Sequence, residues 1–308
     1  MEGVLSGFAV VWTVIAVGYA VGRTGVLGPH ARYVLNRLTF FVASPALLFT
    51  TLAGSDPAAV LGPMLGVAAT SAVTVAVLYV LITRWWLRRG RGELLVGAMS
   101  ASTVNSANLG LPIAAYVLGD ISHAAPVILF QLALFSPVFL ALLDATTTRH
   151  RTTPVAMLVQ TARNPMIVGS MLGLAFAVFG WSLPQQLADP VELIAGASIP
   201  AMLIAFGISL VGSKPLDRAA GRRSDVLVGS ALKLFVQPVL AWAIGVWVFG
   251  LGGADLFAVV VMAALPTAQN VFVTASRYDA GVVVAKDTVL VTTIVAVPAM
   301  MLVPLLLA

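Results

Sequence analysis

The sequence predicts an all-α integral membrane protein of ten transmembrane helices. Three observations predict it. Apolar residues make up 60% of the 308-residue chain and charged residues only 9%. The apolar residues form continuous runs, such as Val67 to Ile82, instead of alternating with polar ones. Basic residues fall in every second connection between those runs. A water-soluble domain carries roughly 25% charged residues, so the scarcity of charge excludes one and makes lipid the solvent. A bilayer core about 30 Å thick takes about 20 apolar residues per helical span. A membrane β-barrel would need the alternation that these runs lack.

In chain order, the ten predicted helices, called spans 1 to 10, cover about 4–21, 34–53, 60–83, 94–118, 124–144, 165–181, 191–212, 227–249, 255–276 and 282–306. Span 1 follows Glu2 with no cationic segment before it and no small-residue cleavage motif, so it reads as a retained helix and not a signal peptide. The connections are short and carry Gly, Pro, Asp or basic residues. There is no cysteine, which excludes disulfides and thiol chemistry.

The 17 Lys and Arg residues give the set a direction. Arg23, Arg32 and Arg37 follow span 1, and Arg84, Arg88, Arg89 and Arg91 follow span 3. Arg149, Arg151 and Arg163 follow span 5, Lys214, Arg218, Arg222 and Arg223 follow span 7, and Arg277 ends span 9. The connections after spans 2, 4, 6 and 8 carry acids instead: Asp56, Asp120, Asp189, Glu192 and Asp255. Basic loops stay in the cytoplasm, so both termini are expected outside it. The net charge of +5 is then a topology signal, and no nucleic-acid partner is expected.

The chain also reads as an internal repeat. Ala43-Ser44-Pro45-Ala46-Leu47-Leu48 in span 2 resembles Ala197-Ser198-Ile199-Pro200-Ala201-Met202-Leu203 in span 7, with the prolines 155 residues apart. Pro112 in span 4 and Pro266 in span 9 are 154 apart. An odd number of helices per half makes the second half enter the membrane inverted. The expected division is a first five-helix repeat at 1–150 and a second, inverted one at 151–308, the architecture of many secondary transporters.

Two segments concentrate polarity inside the membrane: Asn105-Ser106-Ala107-Asn108-Leu109-Gly110-Leu111-Pro112 and Leu265-Pro266-Thr267-Ala268-Gln269-Asn270. A proline removes a backbone donor and clashes with the carbonyl one turn earlier. The freed groups cannot face lipid, and paired broken helices in two repeats point to a binding site at the midplane. Half-helix amino ends suit an anion. The expected substrate-binding residues are Asn105, Asn108, Pro112, Pro266, Thr267, Gln269 and Asn270. A lone polar residue in such a helix would more simply hydrogen-bond a neighbouring helix; Gln131 is read that way, and Pro45 and Pro200 as kinks at close packing. Lys286-Asp287 admits two readings, interfacial snorkelling or a coupling or charge-neutralising pair. Lys233 can snorkel the same way.

The segment around Asn105, Leu-Pro-Thr-Ala-Gln-Asn-Val-Phe-Val from Leu265 with Arg277-Tyr278 after it, and Leu35-Asn36-Arg37 with Ser44-Pro45-Ala46-Leu47-Leu48-Phe49 together resemble the auxin efflux carrier family. That family includes plant auxin carriers and bacterial malonate and dicarboxylate permeases. The resemblance implies two inverted five-helix repeats in a fold like that of bile-acid sodium symporters. In it, broken helices 4 and 9 cross at their prolines. Helices 1, 2, 6 and 7 form a scaffold that dimerises, while helices 3–5 and 8–10 move as the transport part. By match to the motif, Asn105 takes the place of the family's Asn seven residues before the proline. Asn270 matches the bacterial members, where plant carriers have an apolar residue.

The expected function is a secondary-type transporter of a small organic anion, a carboxylate, in the plasma membrane, working by alternating access. The alternatives are a sodium-coupled symporter of larger amphipathic anions and a non-transporting membrane sensor. His30, His123 and His150 lie in or near loops, so no metal site is expected, and no carboxylate falls at the middle of a span. Backbone carbonyls at the crossing remain able to hold sodium. No phosphate-binding Gly-Lys-Ser/Thr loop or nucleophile triad is present, so neither an enzyme nor a cofactor is expected.

Overall fold

A computed structural model describes residues 2–146, 153–212, 216 and 221–307. Arg149, His150, Arg151, Lys214 and Arg218 lie outside the described residues. The described residues are helical, with one antiparallel bridge, between Val104 and Thr267. Six helices are long and apolar enough to cross a membrane, and four shorter apolar helical stretches run 10–17 residues. The chain is therefore an all-helical, multi-pass membrane protein.

The helices are α1 (Glu2–Thr24), α2 (Ala31–Ala53), α3 (Pro63–Leu87), α4 (Arg91–Ser102), α5 (Ser106–Leu118), α6 (Ile121–Thr146), α7 (Pro154–Ala162), α8 (Pro165–Phe179), α9 (Gln185–Ser209), α10 (Arg223–Trp247), α11 (Gly253–Ala263), α12 (Gln269–Tyr278) and α13 (Val282–Leu307). Several placements differ from the sequence reading. Arg32 and Arg37 sit on the first turns of α2, Asp189 and Glu192 sit within α9, and α7 is an additional short helix. Asn164 caps α8, accepting a hydrogen bond from Met166 N at 3.0 Å.

Several prolines inside these helices do not break them. Pro45, Pro112, Pro137 and Pro238 each follow, by two residues, a π-helical turn ending at Ala43, Gly110, Phe135 and Val236. The wider turn moves aside the carbonyl that the ring would strike and that has lost its donor.

The chain forms two compact units. The first comprises Met1–Gly62, Ala107–Ala133 and Leu158–Ser213. In it α1 packs along α9 and α2 along α8. Glycine allows both approaches: a Cβ at Gly18 would stand 2.5 Å from the Ile204 carbonyl oxygen, and one at Gly173 2.7 Å from that of Phe49. Helices in lipid gain little from hydrophobic burial, so such close backbone packing holds them together. The hydroxyls of Ser44 and Ser198 meet at 2.9 Å between these helices. The later turns of α5, Ala114–Leu118, pack on α1.

The second unit comprises Pro63–Ser106, Leu134–Met157 and Lys214–Ala308. Here α3 packs on α4 and α10, and α13 on α4, α10 and α12. The Tyr79 ring fills the space beside Gly97. Polar contacts gather at helix ends. Arg89 grips Asp225 with two hydrogen bonds, Nε to Oδ1 at 3.0 Å and Nη2 to Oδ2 at 2.8 Å. Those bonds push the Arg89 guanidinium above its ordinary pKa, so it stays charged. Arg222 holds Glu93 at 2.8 Å, and the Tyr278 hydroxyl donates to Asp144 at 2.6 Å. Asp144, Asp225 and Asp287 are thus buried carboxylates near helix ends.

Candidate functional site: paired breaks in two helices

The helical run from Arg91 opens at Thr103, which takes an extended conformation (φ −88°, ψ 117°), and resumes at Ser106. The run from Gly253 opens after Ala263 and resumes at Gln269. Pro266 explains the second break, because it disfavours helical geometry at Leu265 and has no N–H of its own. Nothing comparable lies at Thr103. Its break is set by pairing with the other: Asn105 N donates to the Pro266 carbonyl at 2.8 Å, and Ala268 N donates to the Thr103 carbonyl at 3.1 Å. The two breaks form a minimal antiparallel ladder centred on Val104 and Thr267.

Further groups at the breaks also find partners. Thr267 Oγ1 donates to the Ser100 carbonyl at 2.7 Å, and Thr267 N donates to Thr292 Oγ1 of α13 at 3.0 Å. From α10, Gln237 Nε2 donates to the Ser102 carbonyl at 3.2 Å and Lys233 Nζ to the Ala263 carbonyl at 2.7 Å. Non-helical backbone survives at membrane depth only when protein or a cavity satisfies it. These four side chains supply that satisfaction here.

The second unit therefore brings Asn105, Pro266 and Thr267 into one buried cluster. Gln269 (half-buried) and Asn270 (exposed) follow on the first turn of α12. Asn108 and Pro112 belong to the first unit. Pro112 lies within α5, seven residues beyond Asn105, and does not mark the break: the preceding π turn absorbs it. The Lys286–Asp287 pair is 3.4 Å apart, with Lys286 exposed and Asp287 buried. Asp287 also accepts the Leu216 N–H at 3.0 Å, which ties it to the connection before α10.

Lys233 corrects the sequence reading. Its side chain does not snorkel; it is 0% exposed. The α10 segment that carries it is packed by its neighbours, so its long stem turns inward to the carboxyl end of α11. Gln237, Thr292 and Lys233 are site residues that sequence reasoning missed. Each stands out only as a lone polar residue in an apolar run, a signal shared with many residues that merely join helices.

Residues 4–145 and 139–304 match the model of the membrane transport protein family. The chain belongs to that family. An uncharacterized transporter of Methanothermobacter thermautotrophicus is 26% identical over 294 residues, covering 93% of this chain and 92% of its own. A Rhizobium meliloti protein provisionally named a malonate transporter is 28% identical over 296 residues, covering 92% of this chain and 89% of its own. Auxin efflux carrier component 3a of Oryza sativa subsp. japonica is 28% identical over 149 residues, 47% of this chain and 24% of the carrier. These relatives agree with the resemblance read from the motifs. As a member of the membrane transport protein family, the chain is a transporter and not an enzyme.

Proposed function

We propose that the protein is a secondary carrier of a small organic anion, a carboxylate, which binds where the two broken helices pair. The paired breaks carry this reading. They hold Asn105 beside Pro266 and Thr267, and start α12 with Gln269 and Asn270 alongside. The first N–H groups of a helix and the positive end of its dipole favour a carboxylate, and the amides of Asn105 and Asn270 add neutral donors. The name of the Rhizobium meliloti relative makes malonate the first substrate to test.

In this reading the six long and four shorter apolar stretches are ten membrane crossings in two inverted five-helix repeats. The packing of the first unit supports a repeat: Gly18 meets Ile204 as Gly173 meets Phe49, each residue shifted by 155 positions. The first compact unit holds spans 1, 2, 6 and 7 together with Ala107–Ala133 of spans 4 and 5; in this reading spans 1, 2, 6 and 7 form a scaffold through which a homodimer would form, and spans 3–5 and 8–10 the transport part that moves. The plasma membrane is the proposed location, with both termini outside the cytoplasm by the distribution of basic residues.

The test is uptake by sealed proteoliposomes of labelled malonate, malate and an aryl acetate. At least one carboxylate is expected to enter saturably, and Asn105→Ala and Asn270→Ala each to reduce that entry at least tenfold, the loss of about 1.4 kcal/mol of binding. If no carboxylate moves, or both variants carry it as the wild type does, the reading is wrong.

A further inference from the structure

We propose that Lys233 is a tethered cation, standing at the carboxyl end of α11 in the place where a carrier of this architecture would bind a coupling sodium ion, so that the protein works without sodium. The inference rests on the paired breaks being the working centre of the carrier.

The Ala263 carbonyl is free to accept because the α11 ladder stops there. Its ordinary partner, the Thr267 N–H, is turned to Thr292 instead. Half-helix carboxyl ends and unwound carbonyls are the groups that coordinate sodium in transporters with broken helices. In this chain Lys233 Nζ donates to that carbonyl at 2.7 Å. A charge at this end of a helix is favoured by the dipole.

Neutral oxygens flank Lys233 along α10. Lys233 is fully buried, and among the described residues its partner is a carbonyl and not a carboxylate. The buried acids of the unit are engaged elsewhere: Asp225 by Arg89, Asp144 by Tyr278, and Asp287 by Leu216 N and Lys286. One turn to either side of Lys233 on α10 lie Ser230 Oγ and Gln237 Oε1, buried oxygens with no hydrogen-bond partner among the described residues. Thr103 Oγ1, next to the Ser102 whose carbonyl accepts from Gln237, is in the same condition. Neutral oxygens of this kind, a carbonyl, hydroxyls and an amide, are ligands for a hard cation. A buried ammonium is costly, and among the described residues the group that receives it is the Ala263 carbonyl. The side chain that the sequence reads as a snorkelling lysine thus supplies the positive charge from within the chain.

Thermal unfolding of the purified full chain in sodium chloride and in choline chloride of equal ionic strength tests this. The wild type is expected to unfold at the same midpoint in both. Lys233→Met, which keeps most of the stem and removes the charge, is expected to lower the midpoint by about 4 °C or more. Lys233→Ala, which opens room beside the Ala263 carbonyl, is expected to gain a saturable rise in sodium that choline does not give. A wild type that is itself stabilised by sodium, a Lys233→Met protein that unfolds at the wild-type midpoint, or a Lys233→Ala protein indifferent to sodium would overturn the proposal. The wild-type comparison decides alone if the variants do not fold. No substrate is present, so this result and the carboxylate uptake result fail independently.

Discussion

Two arginines near the helix ends show how burial decides the worth of a contact. Arg89 grips a nearly inaccessible Asp225 with two hydrogen bonds, whereas Arg222 and Glu93 are each about one-third exposed. Removing one partner of a buried pair strands the other charge, while an exposed pair contributes little. Arg89→Ala is therefore expected to cost about 2 kcal/mol and Arg222→Ala less than about 1 kcal/mol, read as loss of thermal midpoint in detergent. Thr267→Val keeps the side-chain volume but removes the donor to the Ser100 carbonyl. Its expected cost is about 1 kcal/mol in the same measurement, with a larger effect on carboxylate uptake than on stability. Asn105, Thr267 and Pro266 were legible in the sequence because strongly polar or helix-breaking residues are conspicuous in an apolar run. Lys233 was misread because a lysine two turns from a helix end has a stem long enough for either direction, and only the packing of its neighbours chooses.

At the scale of helices, the interruptions were legible but their positions were only half so. Pro266 breaks its helix where local chemistry says it should. Pro112 does not, because a π turn from Ser106 to Gly110 accommodates it. The actual opening at Thr103–Asn105 depends on backbone donors and acceptors some 160 positions away in the chain, a long-range pairing that no local pattern records. The same separation hides the close contacts of the first unit, where Gly18 and Gly173 admit neighbouring backbones. Gly173→Val would drive a side chain into the Phe49 carbonyl and Leu52. Its expected cost is roughly 1–3 kcal/mol, with a matching fall for Gly18→Val against Ile204. Thermal midpoints close to wild type for both would remove the close-packing account of these helices.

For the whole molecule, composition made lipid the solvent and the continuous apolar runs made helices the spanning elements, and the described residues bear out that reading. The alternation of basic loops adds a sidedness. Because the chain has no cysteine, single introduced thiols report it cleanly. Trp86→Cys, at the exposed end of α3, is expected to react with an impermeant thiol reagent only from the cytoplasmic side, and Ser55→Cys, after α2, only from the other. Reaction of both from one side would contradict the alternation of loops across the membrane. In the proposed arrangement an inversion of two halves would let two broken helices meet, so sidedness and site belong to one account. The central claim is that the paired breaks bind the transported anion. Equilibrium binding of labelled malonate to the purified wild type, Asn105→Ala and Asn270→Ala proteins tests it most directly. The account predicts saturable binding by the wild type that weakens at least tenfold in each variant, about 1.4 kcal/mol, while the thermal midpoints stay close to wild type. Equal affinity in all three proteins would contradict it.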